Sequence, residues 1–200
     1  MRSLLLQEKY SLMSKVALPF LILLCLFWSA AVFSKVYMTR DEALKLAFPG
    51  ADRIEKKTVY LTEEQAKRIE SLARTKLESK IYIFYTGEKE GVELGHAVID
   101  THTLRTMTET IMLVINPDGT LRQVEILAFF EPPDYMSPDP WINKFEDKKL
   151  DDSLRIGRDI PNMTGATITS NSMVNSVRRI MAVFQIAVKE DNRVTAEGQD

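Results

Sequence analysis

The sequence predicts an α+β fold, in which an antiparallel sheet is packed with helices and preceded by one N-terminal transmembrane or signal helix. Between residues 81 and 130, short apolar segments separated by turns are typical of strands. Apolar residues recur at helical spacing on both sides of that region, and an apolar run precedes them all. The length of 200 residues suits one such domain and a targeting segment.

The N-terminal segment, residues 1–35, contains an apolar run at residues 16–33 that follows a basic flank. The basic residues are Arg2, Lys9 and Lys15. The run is long enough to span a bilayer as a signal anchor, but small residues near position 30 also fit a cleaved signal peptide. Both interpretations stand, and the anchor is favoured. With either a signal anchor or a signal peptide, the domain from Lys35 onward should face the periplasm or exterior. The favoured anchor also predicts a single-pass protein of the cell membrane.

A helical lead-in region is predicted at residues 36–79. Thr39 and Glu42 form one capping box, and Thr62 and Gln65 form a second, so a helix should begin at each site. A strand is predicted between them, at residues 54–61. We interpret both helices as packing elements.

Four strands with short connections predict the antiparallel sheet. They are expected at residues 81–85, 92–99, 106–115 and 121–130. The first turn is predicted at residues 87–91, and the segment from Asn116 to Gly119 is a strong signal for the last one.

A hydroxyl-rich segment, residues 164–170, begins the C-terminal helix. Its hydroxyl-bearing residues are Thr164, Thr167, Thr169 and Ser170. Gly165 and Ala166 allow a bulky group to approach the backbone, and Thr169 or Ser170 is the predicted N-cap. From spacing alone, two interpretations remain open. The segment is either an ordinary helix start after a glycine turn, or a phosphate site with a hydroxyl close enough to be esterified.

The two faces of that helix are predicted from its periodicity. The apolar face, which should pack on the sheet, consists of Met173, Val177, Ile180, Met181, Phe184 and Val188. The other face carries Asn175, Arg178, Gln185 and Lys189 and is expected to be solvated. Phe184→Ala should therefore destabilise the domain, whereas Arg178→Ala should have little effect.

The segment Thr-Gly-Ala-Thr-Ile-Thr-Ser at residues 164–170 resembles the flavinylation motif of a known domain family. This FMN-binding domain occurs in the G subunit of Rnf electron-transport complexes and in the C subunit of the sodium-translocating NADH:quinone oxidoreductase. The resemblance implies FMN bound covalently through a phosphoester at Thr167, installed by a flavin transferase. Thr169 and Ser170 match the Thr-Ser that follows the acceptor. Pro161 stands where the family has an acidic residue, and the nearest acid is Asp159.

The resemblance extends over about residues 80–187, and we assign the FMN-binding domain to residues 80–190, followed by a flexible tail at 191–200. The further matches are Gly95 to Val98, Asn116 to Gly119, Glu131, Trp141, Phe145 and Lys148. By this resemblance Glu131 lies beside the flavin, although the residues after it, Pro132 to Asp134, depart from the family pattern.

A bound flavin also needs an apolar wall for its ring and partners for its pyrimidine edge. Tyr135, Met136 and Trp141 are candidates for the wall, and Trp141 fits simple core packing equally well. Thr110 or Glu131 could meet the pyrimidine edge. Glu131 could equally be an exposed residue at the end of a hairpin.

Several other kinds of site are excluded by composition. Cys25 is the one cysteine, which excludes an internal disulfide, a thiolate-bound iron–sulfur cluster and attached c-type haem. A net charge of −2 without a basic face argues against a nucleic-acid partner. His96 and His102 have no third ligand at a useful spacing, so no metal site is predicted.

The resemblance therefore implies a membrane-anchored, extracytoplasmic flavoprotein that relays electrons through FMN. Its expected partners are the subunits of a membrane redox complex, and its membrane contact is the N-terminal helix. Two alternatives remain. One is a sensory or interaction module of the same family without catalytic activity, and the weaker one is a stand-alone flavin reductase.

Overall fold

The computed structural model describes residues 35–190, so the apolar run at 16–33 and the tail at 191–200 lie outside the described residues. No helix within residues 35–190 combines the length and the apolar character needed to cross a membrane. The predicted N-terminal helix and tail therefore remain predictions.

A six-stranded antiparallel sheet forms the centre of the domain, which confirms the predicted sheet. The strands are β1 (Lys35–Val36), β2 (Arg53–Tyr60), β3 (Ile81–Lys89), β4 (Val92–Thr103), β5 (Thr108–Ile115) and β6 (Leu121–Phe129). Their order in the sheet is β1-β6-β5-β4-β3-β2. The four predicted strands are thus the central β3 to β6, and β1 and β2, which precede them in the sequence, form the two edges.

The first hairpin turn is shorter than the predicted segment 87–91, because β3 continues to Lys89. Glu90 and Gly91 alone make the turn, with φ angles of 52° and 77°. Two residues at positive φ match the right-handed twist of the flanking strands, so the hairpin closes tightly.

Within residues 35–190, four α-helices accompany the sheet. They are α1 (Arg40–Ala47), α2 (Glu63–Ala73), α3 (Asp139–Ile142) and α4 (Thr167–Val183). Short 3-10 turns lie at Pro133–Tyr135 and Asn143–Phe145, and α4 continues as a π-helix over Phe184–Lys189. Both predicted capping boxes are present, at the starts of α1 and α2.

The two faces of the sheet are covered unequally. One face packs against α4, α2 and the loops after β6, and it forms the larger core. Alternate residues of the same strands, such as Tyr85, Ala97 and Met112, point to the other face and pack against the short α1. Helix α4 thus lies between the sheet and α2.

This position of α4 confirms the predicted apolar face and corrects one residue of the predicted solvated face, on which Asn175 is exposed as expected. Met173, Val177 and Ile180 are fully buried, as predicted. Arg178, predicted to be solvated, is only 5% exposed. The prediction was wrong because α2 and the loop before α4 cover the side of the helix that a two-layer arrangement would leave wet.

Candidate functional site

The hydroxyl-rich segment forms a turn followed directly by α4. Gly165 has a φ of +84°, a conformation that favours glycine, and a Cβ at this position would meet no atom within 4 Å. The amide of Ala166 donates to the carbonyl of Met163 at 3.3 Å, which closes the turn. Thr167 is then the first residue of the helix. The open space beside Gly165 agrees with the predicted room for a bulky group.

The predicted N-cap at Thr169 or Ser170 is wrong. The N-cap is Ala166, and no side chain caps the helix. Thr169 and Ser170 are 1% and 0% exposed, because they lie one helical turn before Met173 and Val174 on the side facing the core. The Ser170 hydroxyl donates to the carbonyl of Thr167 at 3.1 Å instead of reaching a free amide.

The exposed part of the segment is therefore small. Thr164, Gly165 and Thr167 are exposed, whereas Ala166 is buried. The first amides of a helix have no partner within it, and here neither a capping side chain nor an acidic residue in the first turn satisfies them. An uncapped helix start with its positive dipole end can bind an anion such as a phosphate. The Thr167 hydroxyl lies at that end.

Glu131 is buried, so it is not an exposed hairpin-end residue. Its Oε1 atom accepts the amides of Arg105, Thr106 and Met107 at 3.2, 2.7 and 2.9 Å. The amides of Thr106 and Met107 hold the pKa of Glu131 below its usual range. Glu131 thus fixes the connection between β4 and β5 and stays ionised. Thr110, the other candidate for a pyrimidine partner, bonds Thr101 at 2.9 Å on the face of the sheet away from α4.

The three candidates for a ring wall are separated by the structure. Trp141 packs in the core, edge-on to Phe145 with ring centroids 5.4 Å apart. Its indole N–H donates to the carbonyl of Pro161 at 2.8 Å, so it tethers the loop that leads to the threonine segment. Tyr135 lies under Arg105, whose guanidinium is 5.0 Å from the ring centroid.

Met136 lines a cavity that has a volume of about 470 Å³. Its lining includes Tyr37, Val124, Ile126, Met136, Ser137 and Ile142. The Ser137 hydroxyl is buried and has no hydrogen-bond partner within residues 35–190. Glu125, Asp139 and Asn143 complete the lining, so polar side chains contribute as much to the cavity wall as apolar ones. The volume is within the range of small-molecule sites.

A buried charged cluster, which the sequence analysis missed, lies beneath the first half of α4. Asp100 Oδ2 accepts from the Ser176 hydroxyl at 2.5 Å and from Arg179 at 3.1 Å, and it lies 3.2 Å from His102 Nδ1. His102 Nε2 lies 3.3 Å from the carboxylate of Glu109, which is fully buried. Charged residues at alternate positions of β4 that face the larger core are the sequence signal for this cluster.

The cluster holds its histidine charged. Burial opposes the imidazolium, but the hydrogen bond to Asp100 and the negative charges of Glu109 and Asp100 outweigh it and raise the pKa of His102 to about 9. Burial also opposes the Asp100 carboxylate, yet its bonds to His102, Ser176 and Arg179 keep the pKa of Asp100 below its usual range. The sheet thus carries opposite charges directly under α4.

His96 has separate partners. Its Nδ1 lies 3.0 Å from the Thr86 hydroxyl, its Nε2 lies 3.0 Å from Glu93, and its ring packs on Phe184. In the part of the chain that the structure describes, no group of three His, Cys, Asp or Glu residues could hold a metal ion.

Residues 107–182 match the family of the FMN-binding domain. The matched region extends from the connection before β5 into α4 and includes the whole threonine segment. No curated protein matches the chain. The resemblance inferred from residues 164–170 is therefore confirmed at the level of the family.

Proposed function

Because residues 107–182 match the family of the FMN-binding domain, we propose that the chain binds FMN and that the flavin is attached to Thr167 through a phosphoester. The observation that carries this proposal is the contrast in exposure within one motif. Thr167 is exposed at the first position of an uncapped helix, whereas Thr169 and Ser170 are buried. A modifying enzyme can therefore reach the hydroxyl of Thr167, whereas the hydroxyls of Thr169 and Ser170 are inaccessible to it.

The residues around Thr167 fit a phosphate in that position. The first amides of α4 would donate to the phosphate oxygens, and Gly165 leaves space beside the bond. The cavity lined by Met136 and Tyr37 is our candidate for the ring, with the buried Ser137 hydroxyl as an unused hydrogen-bonding group. Bound FMN supplies one- and two-electron transfer, and the protein supplies position and electrostatic tuning.

The first experiment tests the attachment. The full chain is co-expressed with a flavin transferase, and attachment is measured by in-gel flavin fluorescence and intact mass. We expect the mass to rise by one FMN phosphoester in the parent chain, in Thr164→Val and in Thr169→Val, and not in Thr167→Val. Loss in Thr164→Val with retention in Thr167→Val would move the bond to the other exposed threonine and contradict the proposal.

Pro161 offers a control for the transferase itself, because the family resemblance implies an acidic residue there. Pro161 is exposed, and only its carbonyl is used, by Trp141. Pro161→Asp retains that carbonyl and restores the acid. Modification of Pro161→Asp alone would mean that the natural chain escapes the transferase. The chain would then fit the interaction module better than the electron carrier.

We further propose that the domain relays electrons as an extracytoplasmic, membrane-anchored partner of a membrane redox complex. The support is the apolar run at residues 16–33 behind a basic flank, together with the family match. A reporter that is active only after export, fused after residue 200, should be active. A stable but inactive fusion would contradict this topology.

An electron relay and a stand-alone flavin reductase differ in what reduces their flavin, since only the reductase accepts electrons directly from NADH. The flavinylated chain should be reduced by dithionite and reoxidised by a soluble quinone, while NADH alone should not reduce it. Rapid reduction by NADH would instead favour the reductase.

A further inference from the structure

One end of the sheet lies close to the start of α4. At this end, which we call the motif end, β4 ends at Thr103, β5 begins at Thr108 and β6 ends at Phe129. β1 lies there too, since Lys35 pairs with Phe129. The first described residue of the chain is therefore at the motif end.

The direction of α4 brings the threonine segment to the same place. Ser176 contacts Asp100, and one turn earlier the Ser172 hydroxyl donates to the carbonyl of Thr103 at 3.5 Å. Ile168 lies one further turn back, about 6 Å along the helix axis. It therefore extends past the end of β4, beside the connection formed by residues 104–107.

Exposed apolar side chains are concentrated at the motif end. Val36, Met107 and Ile168 are 62%, 43% and 50% exposed. Tyr60 and Ile81, which pair with each other where β2 ends and β3 begins, are exposed at this end as well. An isolated exposed apolar residue needs no explanation, but several from separate elements at one end of a domain indicate a contact surface.

Two pairs of a cation and a tyrosine accompany these apolar residues. The Lys35 ammonium lies 4.8 Å from the Tyr37 ring centroid, and the Arg105 guanidinium lies 5.0 Å from that of Tyr135. Tyrosine and basic residues together are typical of the membrane–water interface, where the ring meets the acyl boundary and the cation meets phosphate. Asp134, also exposed, is an acid beside Tyr135.

We propose that the motif end rests on the headgroup region of a lipid bilayer, with Val36, Met107 and Ile168 at the acyl boundary and Lys35 and Arg105 at anionic headgroups. This inference rests on the proposed membrane anchoring. In the sequence, Ser34 alone separates the end of the apolar run at Phe33 from Lys35, and one residue adds at most about 3.6 Å of chain.

The consequence concerns the partners of the flavin. Thr167 precedes Ile168, so the attachment residue lies at the lipid surface. Such a position favours redox partners that are embedded in the membrane or dissolved in it over partners that diffuse in water.

The opposite end of the sheet provides a matched control. Val92, directly after the β3–β4 turn, is an apolar residue that is 65% exposed. It follows Lys89, the last residue of β3, and the turn residues Glu90 and Gly91, and both charged residues are exposed. A label at Val92 has similar local exposure but should stay in water.

The test uses spin labels and the full chain. In a Cys25→Ser background, single cysteines replace Met107, Ile168 or Val92, and the unflavinylated chain is reconstituted in vesicles of phosphatidylcholine and phosphatidylglycerol. Collision rates with oxygen, which dissolves in lipid, and with a nickel chelate, which stays in water, are then compared. We expect the oxygen-to-nickel ratio to be several-fold higher for labels at 107 and 168 than at 92.

The outcomes separate this inference from the proposed function. Equal ratios at all three sites, with the chain still floating with the vesicles, would overturn the lipid contact and leave the anchoring intact. The motif end would then serve a protein partner or none. A chain that does not float with the vesicles would overturn the anchoring, and the lipid contact with it.

Discussion

The first turn and the middle of α4 have opposite surroundings although they belong to one helix. Thr167 and Ile168 are exposed at an uncapped end, whereas Ser176, Arg178 and Arg179 are buried between the sheet and α2. In the middle, each polar side chain has protein partners that hold it. At the first turn, amides and a hydroxyl are left for something outside the chain. The comparison teaches that a polar residue of one helix is used by the architecture where it is buried and stays available for binding where it is exposed.

Arg178 is the strongest case for the architectural role and gives the largest expected effect. Its guanidinium donates to the carbonyls of Leu72, Ala73, Asp151 and Leu154 at 3.2, 2.7, 2.6 and 2.9 Å. Arg178→Ala would leave these carbonyls without partners. We expect a loss of about 5 kcal/mol in the free energy of unfolding, measured by urea denaturation, which is comparable to total domain stability.

Arg158 provides the control for Arg178, because its side chain is exposed before α4. Arg158→Ala should change the free energy of unfolding by less than about 0.5 kcal/mol. Equal effects of the two substitutions would mean that the middle of α4 is not held by the carbonyls of α2 and the preceding loop.

These residues show which parts of the fold the sequence could predict. The strands β3 to β6 and the starts of α1 and α2 follow from local patterns, namely apolar spacing, turn residues and capping boxes. Whether Arg178 is solvated depends on which element covers α4, and that element, α2, is about a hundred positions away in the chain. Local periodicity carries no information about a third layer.

The sequence predicted only part of the candidate site, because the rest also depends on contacts between distant parts of the chain. The motif placed Thr167 at a helix start, and the structure agrees. The N-cap prediction failed because hydroxyl residues are good caps in general, while Thr169 and Ser170 are taken up by the core. The roles of Glu131 and of the cluster around His102 depend on pairing between strands, so their partners could not be read from neighbouring residues.

Phe184 tests the end of the buried region, where α4 changes to the π-helix. Its ring packs on Phe84 with centroids 6.3 Å apart and on His96 at 4.8 Å. Phe184→Ala removes this packing and leaves a cavity, so we expect a loss of about 3–5 kcal/mol in the free energy of unfolding. Phe184→Leu fills most of the space and should cost clearly less. The comparison is made without flavin, since a bound cofactor would stabilise the folded state by mass action.

The charged cluster under α4 predicts a pH dependence. The pKa of His102 rises from 6.5 to about 9 on folding, so its stabilisation is fully present below about pH 6.5 and is lost as the pH rises through 9. The difference in the free energy of unfolding between the parent chain and His102→Gln should therefore shrink by on the order of 3 kcal/mol between pH 6 and pH 10.

His96 provides a control that distinguishes the contribution of His102 from a general loss of folding stability at alkaline pH. Burial lowers the pKa of His96, so its contribution has the opposite sign and is lost as the pH falls. His96→Gln should leave the alkaline loss of stability unchanged. A constant difference between the parent chain and His102→Gln from pH 6 to pH 10 would show that the cluster does not hold a charged histidine.

The smallest expected effect is at the exposed end of the comparison, at Thr167 itself. Within residues 35–190 its hydroxyl has no hydrogen-bond partner, and the bonds from Ser170 and Asn171 go to its backbone carbonyl, which valine keeps. Valine has nearly the same shape and a similar helix propensity. Thr167→Val should therefore change the free energy of unfolding of the unflavinylated chain by less than about 0.5 kcal/mol, measured by urea denaturation.

Ser176→Ala provides the control, because it removes a hydroxyl nine positions further along the same helix, where it donates to the buried Asp100. This substitution should cost about 1–3 kcal/mol. If Thr167→Val proves as damaging as Ser176→Ala, the first turn has an architectural role too, and loss of flavin in that variant could no longer be assigned to the missing bond.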